Sequence, residues 1–174
     1  MKIYTKGGDS GMTGLQGGKR VSKSSRRIAA YGSLDEANAI IGMAIATGTY
    51  EQIQTILNRI QNDLFILGAD MSNPDLTIKT NRITTEMITS LEHNIDEIDK
   101  TLPPLTNFIL PGGTVAGSIL HVARAVVRRA ETHMAHMLGD MNPLCLVYVN
   151  RLSDLLFVLA RASNVGKTES IWRP

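Results

Sequence analysis

Apolar residues recur every three or four positions along most of the chain, from about residue 27 onward. This spacing places them on one face of a helix, and the strict alternation typical of strands is missing. The pattern predicts five amphipathic helices separated by glycine and proline, at residues 27–47, 53–72, 84–102, 114–138 and 143–166. Five such helices joined by short connections predict an all-α protein, folded as an up-and-down five-helix bundle.

The sequence leaves the start of the first helix open. Ile28 and Tyr31 fit its apolar face, which favours a start near Arg27. Ser33 and Glu36, however, have the spacing of a capping box, which favours a start or a kink at the preceding glycine. The pattern alone does not decide between these alternatives.

The first 25 residues differ from the rest of the chain. Six glycines stand between residues 7 and 18, interleaved with lysines and hydroxyl side chains. This density excludes a stable helix, and only residues 2–5 have the composition of a short strand. One interpretation is a disordered tail. The other is a phosphate-binding segment of neither Walker nor Rossmann type, since backbone N–H groups freed by glycine bind anions.

A second unusual segment is the loop at residues 102–113. Its prolines make it rigid, yet it carries three consecutive apolar residues, Phe108-Ile109-Leu110. One interpretation is a loop folded over one end of the bundle. The other is an apolar wall presented to a large flat ligand or to a partner subunit.

Composition places the chain among ordinary globular proteins. A length of 174 residues predicts a single domain, and 43% apolar with 20% charged residues is typical of a soluble one. A net charge of +2 gives no indication of a nucleic-acid surface. We expect a cytoplasmic location, because neither a signal sequence nor a membrane-spanning pattern is evident. Cys145 lies in an apolar run and is expected to be a buried thiol.

The fourth predicted helix carries a charged stripe. Arg124, Arg128 and Glu131 are spaced i, i+4 and i+7, so they share one face of a helix that is otherwise apolar. The arginines need anions there. Carboxylates of a neighbouring helix satisfy them in one interpretation, and Asp35-Glu36 on the first helix offers a carboxylate to one of the arginines of this segment, Arg129 included. A phosphate or carboxylate ligand satisfies them in the other, and the residues alone favour neither.

Several familiar chemistries are not indicated. The chain has no Glu-x-x-His pair for a di-metal bundle site, no HExxH, no CxxC and no recognisable nucleophile with its base. His93, His121, His133 and His136 are therefore interpreted as ordinary surface or core histidines. The remaining polar residues are suited to binding charged groups. This fits a reaction in which the substrates, and not the protein, supply the reactive atoms.

Four motifs occur in order along the chain and together identify a resemblance. They are Tyr4-Thr5-Lys6-x-Gly8-Asp9-x-Gly11-x-Thr13, Ala30-Tyr31-Gly32-x-x-Asp35-Glu36-x-Asn38, Arg124-x-x-x-Arg128-Arg129-Ala130-Glu131 and Asn150-Arg151-Leu152-Ser153-Asp154-Leu155-Leu156-Phe157. The chain resembles the ATP:cob(I)alamin adenosyltransferases of the propanediol-utilisation (PduO) type over essentially its whole length.

The resemblance implies an activity and an assembly. The activity is transfer of the 5′-deoxyadenosyl group of ATP to the cobalt of cob(I)alamin, with release of triphosphate and formation of adenosylcobalamin. The assembly is a homotrimer with active sites between subunits, and a reductase and an adenosylcobalamin-dependent client enzyme are candidate partners. The alternative is a non-catalytic bundle that senses ATP or chaperones corrinoid.

The resemblance also assigns residues. Residues 1–25 become an ATP-binding segment ahead of a bundle at residues 26–166. Asp35 and Arg124 resemble a structural ion pair near the corrinoid, and Phe108 matches an aromatic beneath cobalt that excludes the lower axial ligand. Mg²⁺ would bridge phosphate oxygens. The residues implied to bind ATP are Thr5, Lys6, Gly7, Gly8, Thr13, Gly14, Lys23, Arg128, Arg129, Glu131 and Asn150.

Overall fold

The computed structural model describes residues 2–173 and contains the five predicted helices. They are α1 (Arg26–Ala46), α2 (Glu51–Ser72), α3 (Thr85–Asp99), α4 (Val115–Ala135) and α5 (Pro143–Ser163). The prediction of a mostly helical bundle is confirmed. The fourth helix is shorter than predicted, because residues 136–139 form a turn that closes at Gly139, where φ is +97°.

The first helix begins at Arg26 and runs without interruption through Gly32. Its N-cap is Ser25, whose hydroxyl oxygen accepts a hydrogen bond from the N–H of Ile28 at 3.4 Å. Ser33 is therefore not a cap. Its hydroxyl instead donates to the carbonyl oxygen of Ala29 at 2.9 Å inside the helix, which decides between the two starts that the sequence left open.

The helices pack with α4 between α1 and α5, while α2 covers α1 and α3 covers α5. Their apolar faces meet in one continuous core in which Tyr148 is fully buried and donates a hydrogen bond to Asp63 at 3.1 Å. Cys145 is fully buried and free, as expected, and burial raises the pKa of its thiol. The chain thus folds around a single core.

The N-terminal segment contains a small hairpin that the sequence did not predict. Strand β1 (Met12–Gly14) pairs antiparallel with β2 (Arg20–Ser22), with Thr13 opposite Val21. Gly17 and Gly18 both have positive φ in the connecting turn, which is why glycine stands there. The strand predicted at residues 2–5 was wrong, because these residues are irregular and exposed.

Helix α5 is long and apolar enough to cross a membrane by length and composition alone, with a mean hydropathy of 1.5. No membrane-spanning pattern was predicted from the sequence, so this long apolar run was missed. In the described part of the chain α5 contacts α3 and α4 and contributes eleven buried residues, so it is the core helix of the bundle.

Candidate functional site

The glycine-rich segment gathers positive charge beside exposed backbone. A Cβ built on Gly8 would lie 2.8 Å from Nζ of Lys23, so the ammonium group occupies the space that glycine leaves open. The guanidinium of Arg20 donates to the carbonyl oxygens of Gly7 (2.6 Å) and Met12 (3.2 Å) and thereby ties the first turn to the hairpin. The segment is thus folded around lysine and glycine, and its interpretation as a phosphate-binding segment stays a prediction.

The structure brings most of the predicted ATP-binding residues of this segment together. Gly7 donates its N–H to the hydroxyl of Thr5 at 3.4 Å, and Lys6 has a positive φ of 59° in the same turn. Thr13 and Gly14 lie farther along, on β1. All but Gly8 and Thr13, which are half-buried, are exposed, so a ligand can reach them without rearrangement of the core.

On α4, Arg128 and Arg129 have different surroundings. Arg128 is exposed, and none of its side-chain nitrogens has a hydrogen-bond or ion-pair partner among residues 2–173. Arg129 forms an ion pair with Glu36 on α1 and donates to the hydroxyl of Ser33 at 3.3 Å. The expectation that Glu36 offers a carboxylate to one of the arginines is confirmed. The nucleotide-binding role of Arg129 stays a prediction. Its side chain already has an anionic partner, Glu36.

Glu131 and Asn150 lie at the junction of α4 with α5. The amide of Asn150 donates to Oε1 of Glu131 at 2.8 Å, and its Oδ1 accepts from Arg151 at 3.0 Å. Arg151 in turn donates to Glu92 on α3 at 2.8 Å. This chain of contacts fixes the orientation of the Glu131 carboxylate, which lies one turn along α4 from Arg128.

The predicted pair of Asp35 and Arg124 does not form within the chain. Asp35 lines a cleft of about 510 Å³ between α1 and α2, beside Tyr31 and Phe65. Arg124 lines a different cleft on α4, and its Nε is buried without a hydrogen-bond partner in the described residues. Burial, together with the charge of Arg128, lowers the pKa of Arg124. A helix turns by about 100° per residue, which explains why Glu36 faces α4 while its neighbour Asp35 does not.

His121 lies beside Arg124 in the same cleft, which has a volume of about 530 Å³ and extends from Pro111 to Arg129. The imidazole is only 4% exposed, and neither nitrogen has a partner among the described residues. Burial, and the neighbouring charge of Arg124, lower its pKa. The cleft also places the loop at residues 102–113 directly beside the arginine stripe, since Pro111 belongs to that loop.

Phe108 is 79% exposed on this loop, and its ring meets the edge of Trp172 with centroids 6.4 Å apart and an interplanar angle of 82°. The two rings line a cleft of about 470 Å³ together with Leu105, Thr106 and Asn107. The loop was recognised from the sequence, whereas the C-terminal segment that packs on it was not predicted.

The glycine-rich segment and the Phe108 loop lie toward opposite ends of the bundle. Arg27, at the start of α1, donates to the carbonyl oxygen of Asp140 just after α4, whereas the other end of α1 lines a cleft with the first residues of α4. A helix of 21 residues is about 30 Å long. One chain therefore holds the two halves of the predicted site apart.

In the described residues, no group of three or more His, Cys, Asp or Glu side chains converges as a metal site would require. The oriented carboxylate of Glu131 is a single oxygen donor group beside the exposed Arg128. Mg²⁺ is commonly held by one or two carboxylates together with substrate phosphates, so this donor set fits an ion that arrives with a nucleotide.

The sequence matches the cobalamin adenosyltransferase family over residues 3–163. It is 45% identical over 185 residues to the corrinoid adenosyltransferase of Mycobacterium leprae, covering 99% of this chain and 96% of that one. It is 40% identical over 168 residues to the corrinoid adenosyltransferase PduO of Salmonella typhimurium, covering 94% of this chain and 50% of that one. The chain belongs to the cobalamin adenosyltransferase family.

A solved structure agrees with this assignment. A variant of the PduO-type ATP:corrinoid adenosyltransferase from Lactobacillus reuteri, complexed with cobalamin and ATP, superposes with a TM-score of 0.92 at 34% sequence identity. The match covers 99% of this chain and 97% of that one.

Proposed function

We propose that this protein transfers the 5′-deoxyadenosyl group of ATP to the cobalt of a reduced corrinoid and releases triphosphate. The observation that carries the proposal is the state of the two stripe arginines: Arg124 and Arg128 have no carboxylate partner among residues 2–173. Two arginines four residues apart on one helix face repel each other by a few tenths of a kcal/mol, and an anion supplied from outside the chain would relieve this repulsion. Full-length similarity to named corrinoid adenosyltransferases supports triphosphate as one such anion.

The glycine-rich segment and α4 would hold ATP from two sides. Thr5, Lys6, Gly7 and Gly8, with Lys23, offer backbone N–H groups and ammonium groups to the phosphates, and Thr13 and Gly14 extend this surface along β1. Arg128 would face the triphosphate with its planar fork. Glu131, oriented by Asn150, and the phosphate oxygens would hold Mg²⁺, which supplies charge neutralisation.

The reaction needs no protein base. The cobalt of cob(I)alamin carries the electron pair that attacks C5′ of ATP, so the cobalt–carbon bond forms as the C5′–oxygen bond breaks and triphosphate leaves. Negative charge grows on the leaving oxygen, and Lys23 and Arg128 would be the side chains that stabilise it. The absence of a recognisable acid–base pair in the sequence agrees with this chemistry.

Phe108, with Ile109 and Leu110, would form an apolar wall against the lower face of the corrin ring. An aromatic ring in that place excludes an axial donor from cobalt. Because a donor raises the energy of the orbital that accepts the electron, its exclusion makes the Co(II) state easier to reduce.

The site would be completed by a second copy of the chain in a homotrimer. The separation of the glycine-rich segment from the Phe108 loop supports this assembly, since adenosyl transfer requires both substrates in contact. Asp35 and Arg124 would then pair across the interface. The same proposal includes a cytoplasmic location and two partners: a reductase that delivers the electron and a client enzyme that receives adenosylcobalamin.

The proposal is tested by incubating the protein with ATP, Mg²⁺ and chemically reduced cob(I)alamin and following the absorbance of the light-sensitive cobalt–carbon product. Product that depends on both ATP and protein is the expected result. Binding of ATP and corrinoid without product would indicate the alternative, a non-catalytic sensor or corrinoid chaperone.

A further inference from the structure

The C-terminal segment turns back after α5 and pairs with the loop that carries Phe108. The N–H of Leu110 donates to the carbonyl oxygen of Ser170 at 2.7 Å, and the N–H of Trp172 donates to that of Phe108 at 2.8 Å. Ile109 and Ile171 face each other between these bonds as an isolated antiparallel bridge. The backbone from Phe108 to Leu110 is therefore held by residues at least 60 positions away in the sequence.

A buried ion pair holds the C-terminal segment in place. Arg161 on α5 is only 4% exposed and donates to both carboxylate oxygens of Glu169, at 3.0 and 3.3 Å. The same guanidinium donates to the carbonyl oxygen of Pro103 at 2.8 Å. One buried cation thus connects the C-terminal segment to the beginning of the Phe108 loop, and a bidentate contact of this kind has a fixed geometry.

The Phe108 side chain itself has few other restraints. Its ring is largely exposed, and the indole of Trp172 meets it nearly perpendicularly at 6.4 Å, within the range preferred by edge-to-face aromatic pairs. Trp172 is half exposed, so it is not a core residue whose size the fold demands. The backbone of Trp172 is held by the hydrogen bond to Phe108, and its ring contacts the ring of Phe108.

We propose that Trp172 is a positioning residue of the reaction, which holds the Phe108 ring in the orientation that faces the corrin. The inference rests on the proposed role of Phe108. Trp172 acts through Phe108, whose ring must lie close beneath cobalt to exclude an axial donor, and a displacement of about 1 Å can cost roughly a hundredfold in rate. Trp172 therefore matters most for the step that depends on that exclusion, the reduction of cob(II)alamin.

The test uses the full-length protein and the variants Trp172→Ala, Trp172→Phe, Phe108→Ala and the double Trp172→Ala/Phe108→Ala. Each is assayed for adenosylation starting from cob(II)alamin with a reductant and, separately, from chemically reduced cob(I)alamin. Electron paramagnetic resonance of bound cob(II)alamin in the presence of ATP reports directly whether an axial donor is present. Tyr50→Ala, which removes another exposed aromatic at the α1–α2 connection, is the matched control.

We expect Trp172→Ala to lose roughly tenfold or more in the cob(II)alamin assay, to retain most of the cob(I)alamin rate, and to show an axial donor in the resonance spectrum. Trp172→Phe should recover much of the loss, and Tyr50→Ala should match the wild type. In the double variant the loss should equal that of Phe108→Ala alone, since residues that act as a unit are not additive.

Two other results would overturn the inference. Equal losses of Trp172→Ala in both assays would indicate a purely structural role, and a loss that adds fully to that of Phe108→Ala would show independent action. Failure of the proposed function is distinguishable from either, because the wild-type protein itself would then form no product from cob(I)alamin. Trp172 is the only tryptophan in the sequence, so a change in its fluorescence on Phe108→Ala verifies the ring contact without any corrinoid.

Discussion

The ammonium group of Lys23 lies close against Gly8. Its Nζ is 2.8 Å from the position that a Cβ atom on residue 8 would occupy, which is too close for both atoms to fit. The lysine is therefore placed beside the glycine-rich turn by the absence of a side chain, and a larger residue at position 8 would displace it. Because of this contact, the glycines and lysines of the segment form a defined cationic surface.

Gly8→Ala should weaken ATP binding roughly tenfold, because the added methyl group displaces Lys23 and one charged hydrogen bond to the nucleotide is lost. The thermal midpoint should stay unchanged, because the flexible lysine side chain moves and the backbone does not. Calorimetric titration with Mg·ATP measures the effect. Gly7→Ala is the matched variant with a smaller expected loss, since its Cβ meets only the hydroxyl of Thr5 at 3.6 Å. Wild-type affinity in Gly8→Ala would show that Lys23 does not contact the nucleotide.

Arg128→Ala should lower turnover by roughly a hundredfold or more and leave the fold intact. The loss follows from removing a donor aimed at the leaving triphosphate. Stability should be unaffected, because the side chain is exposed and has no partner within residues 2–173. Arg128→Lys should be intermediate, since it keeps the charge and loses the planar fork. Steady-state rates and thermal melts measure both variants, and unchanged turnover would remove Arg128 from the mechanism.

Asp35→Arg and Arg124→Asp should each weaken the proposed trimer, because each would place like charges opposite one another across the proposed interface. Combining them in one chain should restore assembly with the charges exchanged. Light scattering on a size-exclusion column measures the mass, which is a multiple of the 19.0 kDa chain. A double variant that assembles no better than the single variants would mean that the two residues do not pair.

Phe108→Ala should chiefly reduce adenosylation that starts from cob(II)alamin and largely spare the reaction that starts from cob(I)alamin. The reason is that only the first depends on excluding the axial donor from cobalt. The ring is 79% exposed, so its removal should cost the fold little. Comparable losses in the two assays would contradict a role in ligand exclusion.

The sequence predicted the helices well because their apolar periodicity extends over several turns. It did not reveal the hairpin, since strands of three residues, Met12–Gly14 and Arg20–Ser22, are too short to show an alternating pattern. The pairing of Trp172 with Phe108 was also missed, because the contact joins two irregular segments that are distant in sequence.

The pairing of charged residues in the candidate site differs from the sequence-based expectation, and the binding roles of its residues stay predictions. The sequence offered Asp35 and Glu36 as partners for one of the arginines of α4. The structure pairs Glu36 with Arg129, which lies beside the stripe, and leaves Asp35 in another cleft. The choice depends on the rotation of α1 relative to α4, which a single sequence does not specify. His121 was interpreted as an ordinary histidine, although its i, i+3 spacing from Arg124 on the fourth predicted helix already puts the two side chains on one face.

The most direct test of an adenosyltransferase site shared between subunits is complementation of two inactive chains. Lys23→Ala disables the glycine-rich segment and Arg128→Ala disables the α4 side, and the two variants are co-expressed and purified as mixed assemblies. If Lys23 of one subunit and Arg128 of its neighbour serve the same site, random mixing leaves about a quarter of the interfaces with both residues intact, and that fraction of wild-type adenosylation should return. Mixed assemblies that stay as inactive as their parents would contradict the shared site.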